Sequence, residues 1–169
     1  MKRIATGLLI VALLGTSACS KNGGGLFGGG GSADGTGLNG GVNGAIDERS
    51  ISFFNQNIGD TVLFAVDQST LTPEALAILN GQAGWLNQNV EIQILIEGHA
   101  DEQGTREYNI ALGGRRAEAV RSYLISQGVL DSRIRIRSYG KQRPLAVCST
   151  EECWSKNRRA VTVVTGGIS

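Results

Sequence analysis

The sequence predicts one α+β domain: a mixed sheet with two main helices packed on one face. Three observations carry the prediction. Apolar residues alternate with polar ones through residues 90–97, the period of a half-buried strand. Residues 72–87 and 106–127 repeat their apolar residues at helical spacing. The signals then run strand–helix–strand–helix–strand–strand, an order that lays the helices on one side of a sheet.

Taken in order, Val62-Leu63-Phe64-Ala65-Val66 is a short β-type run after Gly59-Asp60, and Ile51-Ser52-Phe53 is expected to pair with it as a hairpin. Thr72-Pro73-Glu74 opens a helix. Thr72 suits the N-cap, Pro73 the first helical position, and Glu74 the positive end of the helix dipole. Leu71 and Leu76 stand at the staple positions, and Leu76, Leu79, Ala83 and Leu86 keep one face apolar. The strand of residues 90–97 runs straight into Gly98-His99-Ala100-Asp101. A second helix stops at Gly128, a usual C-terminal breaker. Strands are expected at residues 133–139 and 159–165. Arg133, Arg135 and Arg137 alternate with Ile134 and Ile136, the pattern of a solvated strand face.

The chain before this domain reads differently. Residues 1–18 have a positive start (Lys2, Arg3), an apolar run over 4–14 and small residues after it, the layout of a secretory signal. The apolar run is too short to span a bilayer core, which takes about 20 helical residues. Cys19 follows, and the segment resembles a bacterial lipobox, with Thr16 where leucine usually stands. That resemblance implies a lipid on Cys19, and Ser20 after it implies the outer membrane. Residues 19–46 contain a run in which 12 of the 25 residues 21–45 are glycine, so conformational entropy opposes order and a flexible tether is expected. Residues 47–169 make one domain of ordinary size. Cys148 and Cys153 then remain as an even pair in an exported protein, which points to a disulfide closing a small loop. A structural zinc site would want four ligands, and the chain has one histidine.

The formal charge is +1, and one net negative charge remains once Lys2 and Arg3 leave with the signal. A nucleic-acid binder would carry a basic excess, so none is expected as a partner.

The chemistry concentrates in residues 98–109, "GHADEQGTREYN". On the following helix Tyr108, Leu112, Arg116, Val120 and Leu124 stack at i, i+4. Four of the five belong in a core, and Arg116 interrupts them. An uncompensated buried guanidinium costs several kcal/mol, so Arg116 needs an anion. Asp101 stands where strand leads to helix, at a sheet edge where clefts commonly open. Two readings stay open. In one, Asp101–Arg116 is an internal salt bridge in a structural adaptor for periplasmic proteins. In the other, Asp101 holds a cation and Arg116 an anion of one ligand, such as the ammonium and carboxylate of an amino-acid end group. Asn109, two turns before Arg116, offers its amide to the same group. A catalytic role is not expected: His99 is the sole histidine, there is no nucleophile elbow, and Asp101 and Glu102 are adjacent rather than facing across a cleft.

"IEGHADEQGTREYNIALGGRRAEAVRSYL", with the later "SYGKQRP" and "SKNRRAVTVV", resembles the OmpA-like peptidoglycan-binding domain family. The resemblance covers residues 62–164. It implies a βαβαβ(β) fold that binds the meso-diaminopimelate of peptidoglycan without covalent chemistry or cofactor, gripped by Asp101 and Arg116. It also implies TolB and other Tol components as partners, at the periplasmic face of the outer membrane. The family's Phe-Asp-x-Asp turn appears as Phe64-Ala65-Val66-Asp67, which leaves any ligand role there to Asp67 and the Ser69-Thr70 backbone. Arg158 and Arg159 match the family's Asn-Arg-Arg and are expected to frame the site.

Overall fold

The computed structural model describes residues 47–166. The expected signal, Cys19 and the whole of the expected tether lie outside the described residues. Four strands, β1 (Thr61–Leu63), β2 (Gln93–His99), β3 (Ile134–Gly140) and β4 (Arg159–Gly166), form one mixed sheet in the order β1-β4-β2-β3. β2 and β3 are parallel, and β4 runs antiparallel to both β1 and β2. The two long helices α2 (Pro73–Gln88) and α3 (Arg106–Ser126) share one core with the sheet through Leu79, Leu86, Ile94, Ile96, Val120 and Leu124.

Both helices begin as expected. The Thr72 and Thr105 hydroxyls accept from the amides of Ala75 and Tyr108, satisfying donors that the first turn leaves free. Past the end of α3, Gly128 takes φ 95°, where a side chain would be strained. The closest approach of helix to sheet is Gly98 against Gly113: a Cβ on Gly98 would stand 1.8 Å from the Gly113 carbonyl oxygen. That contact sets α3 directly on the C-terminal half of β2.

Several expectations are corrected. Ile51–Phe53 is a helical turn (α1), capped by Ser50 and continuing into a π-helical turn at Phe54–Gly59, instead of a hairpin strand. Its reason is tertiary: Phe54 is fully buried against Trp85, with ring centroids 4.8 Å apart. β1 ends at Leu63 instead of Val66, because the chain turns at Ala65, whose carbonyl accepts from the Gln68 amide. Val90 is 66 % exposed, outside β2. The preceding Asn89 still caps α2, so the strand starts at Gln93. Arg133 is buried instead of solvated. It sits in a 3₁₀ turn (Asp131–Arg133) and donates to the carbonyls of Leu86, Asn89 and Ile92, closing the end of α2. Arg135 and Arg137 are exposed, but so is Ile136 between them, so the expected alternation fails at that position. A short helix, α4 (Glu151–Asn157), was not foreseen.

Candidate functional site

Parallel pairing of β2 with β3, and antiparallel pairing of β4 with β1, bring the ends of β1, β2 and β3 and the start of β4 to one edge of the sheet. The loops after β1 and β2 and the segment carrying α4 therefore meet there. Between the first two lies a cavity of about 300 Å³, lined by Val66, Asp67, Asp101, Gln103, Gly104, Tyr108, Asn109 and Leu112.

Two carboxylates face it. Asp67 adopts φ 55°, a left-handed conformation that aspartate tolerates better than most residues, and its carboxylate accepts from the Tyr108 hydroxyl. That bond holds the phenol in its protonated form, raising its pKa. Tyr108 is 44 % exposed, so it lines the cavity and leaves the apolar row expected of it. Asp101 is largely buried. One of its oxygens accepts from the Gln103 amide at 3.2 Å and the other from Arg158 Nη1 at 3.3 Å.

Arg116 occupies the core, fully buried, as its place on α3 predicts, but its partners differ from the expectation. It donates to three backbone carbonyls: Nε to Gln68 at 2.8 Å, Nη1 to His99 at 2.8 Å and Nη2 to Ala65 at 3.1 Å. Its guanidinium also lies 5.2 Å from the Phe64 ring centre. Asp101 acts on it through space as a favourable charge, while burial, the larger effect, lowers its pKa to about 10. Arg116 therefore stays charged at neutral pH. It lashes the loop after β1 to the end of β2, directly behind the cavity. The direct Asp101–Arg116 salt bridge of the adaptor reading is replaced by Asp101–Arg158.

The remaining candidates divide. Asn109 is buried at the cavity wall, its amide nitrogen donating to the Gln103 carbonyl at 2.8 Å. Thr70 is exposed and does not line the cavity. Cys148 and Cys153 are bridged, with Cα atoms 5.6 Å apart.

Arg158 and Glu151 are the residues that sequence reasoning placed too lightly or overlooked. Arg158 is 4 % exposed and donates from Nε to the Phe64 carbonyl, so a single guanidinium touches all three loops. The Asn-Arg-Arg motif was the available signal. Nothing local marked Glu151. His99 is buried, and among the described residues neither ring nitrogen has a hydrogen-bond partner. It stacks on Tyr139 at 5.6 Å, away from the cavity lining. Burial, reinforced by the nearby Arg159 and Arg143 charges, lowers its pKa to about 4.

Comparison with known proteins agrees with this architecture. The OmpA family model matches residues 63–158. A peptidoglycan-associated lipoprotein of Mesorhizobium japonicum is 53 % identical over 133 residues, spanning 79 % of this chain and 78 % of the relative. The crystal structure of the peptidoglycan-associated lipoprotein from Burkholderia pseudomallei superposes with a TM-score of 0.63 at 38 % identity, covering 66 % of this chain and 96 % of that one. The C-terminal domain of Helicobacter pylori MotB shares the fold, with a TM-score of 0.59 at 21 % identity over 63 % of this chain and 84 % of that one. Matched by the family model over more than half its length, and about half identical to relatives such as that of Mesorhizobium japonicum over the aligned residues, the chain belongs to the OmpA family, alongside the peptidoglycan-associated lipoproteins.

Proposed function

We propose that this chain is an outer-membrane lipoprotein that holds peptidoglycan without covalent chemistry. Its site takes the meso-diaminopimelate-bearing peptide, whose side-chain end carries both an ammonium and a carboxylate. The observation that carries the reading is a cavity walled by Asp67 and Asp101 with the Arg116 charge sealed directly behind it. The carboxylates suit the ammonium. Among the described residues Arg116 has no direct carboxylate partner, so its field favours a ligand anion nearby. The names of the relatives support association with peptidoglycan, the coarser part of the reading. A lipid on Cys19 would anchor the domain at the periplasmic face, and residues 19–46 would give it reach. Within this reading the chain serves the Tol–Pal system, with TolB and other Tol components as protein partners, in envelope integrity and cell division.

The test is sedimentation of the purified full-length chain, in detergent, with diaminopimelate-type peptidoglycan. Asp101→Asn removes one charge and keeps the shape. The expected loss of affinity is about 10- to 100-fold, the worth of a charge-assisted hydrogen bond. Arg116→Ala is a poor probe, since it also strands three carbonyls in the core. If the native chain and Asp101→Asn stay in solution alike, the domain's work lies with a protein partner.

A further inference from the structure

The cavity's Asp101 has a rival for its charge. Arg158 lies beside it, almost fully buried, and alone it would make a tight ion pair that neutralises Asp101. The structure divides Arg158 instead. Nη1 is shared between Asp101 Oδ2 and Glu151 Oε2, each at 3.3 Å, and Nη2 goes to Glu151 Oε1 alone. Glu151 thus grips the guanidinium with both oxygens, and Asp101 receives one long bond. Glu151 itself lies away from the cavity lining, with a side chain 61 % exposed. Its place is held from both sides: it opens α4, and the Cys148–Cys153 bridge spans it.

We propose that Glu151 is a positioning residue for ligand binding: by holding Arg158 in a two-oxygen grip, it leaves the Asp101 carboxylate available to a ligand ammonium. The inference rests on the peptidoglycan reading above. Without Glu151, Arg158 would turn its freed N–H groups to Asp101, and the cavity would lose its pull on a cation. The cationic end of the ligand is therefore the part that senses Glu151, although Glu151 does not touch it.

The experiment uses the full-length chain in detergent and two preparations of the same peptidoglycan, one untreated and one with its free amino groups acetylated. Glu151→Gln is expected to weaken binding to the untreated wall by about tenfold. On the acetylated wall, Glu151→Gln and the native chain should be equal. Glu151→Asp, which keeps the charge, should restore most of the binding, and circular dichroism checks the fold of each variant. Native-like binding by Glu151→Gln would overturn the proposal. So would an equal loss on both walls, which marks a merely structural role. Failure of the native chain to bind the untreated wall would sink the peptidoglycan reading itself, whatever Glu151 does.

Discussion

His99 shows how burial, reinforced by neighbouring arginine charges, changes what a residue does. It is the one histidine of the chain, in the stretch richest in charge, and its position invites a catalytic reading. The fold places it on the sheet face away from α3, stacked on Tyr139, with Glu97 at 3.7 Å and Arg143 and Arg159 nearby. The unfolded chain protonates it near the ordinary 6.5 and the folded chain only near 4. Between those values the unfolded state binds more protons, so stability is lost as pH falls through that window. Urea midpoints measured from about pH 7 down to about pH 4 should show this loss, and His99→Phe should flatten it. An unchanged slope in His99→Phe would assign the loss to the carboxylates. Arg116 makes the complementary point. Its anomaly in an apolar row was plain from spacing, and the need for negative partners followed from charge burial. Spacing had no means of choosing Asp101 over three carbonyls, because backbone carbonyls are present at every residue.

Among the elements, α3 on β2 positions the site. Gly98 and Gly113 remove the side chains that would hold the two apart, and the Ser138 side chain packs close beside Gly113. Gly98→Ala would drive a methyl into the Gly113 carbonyl, so α3 must shift. A destabilisation of about 3 kcal/mol is expected from such overpacking, read as a lowered midpoint in denaturant. The substitution should weaken ligand binding as well, since Tyr108, Asn109 and Leu112 ride on that helix. A variant as stable as the native chain would mean the contact is not limiting. The helices were readable from the sequence because cap residues and apolar spacing are local signals. α4 was not, since its seven residues have too few turns to show a period.

Across the folded chain, the segment before β1 closes the core behind α2. Gln82 donates to the Gly59 carbonyl and Trp85 to that of Glu48, while Phe54 packs on the Trp85 ring. Phe54→Ala should therefore cost about 3–5 kcal/mol, a large-to-small core loss, seen in thermal unfolding. A loss under about 1 kcal/mol would show that the segment is dispensable to the core. The hairpin expected here failed for the same reason that the segment matters. Three residues of mixed polarity have no preference of their own, and the pocket for Phe54 decided their conformation.

Local pattern was enough for the α+β class, the two long helices with their caps, the central alternating strand and the anomalous Arg116. These follow from period, capping chemistry and charge, which act over a few residues. Contacts between residues far apart in the chain decided the rest: Asp101 bonded to Arg158, Arg158 divided with Glu151, Arg116 satisfied by carbonyls, and Asp67 joined to Tyr108. Those pairs stand 7 to 57 residues apart, and only packing selects among the many partners that charge alone would allow.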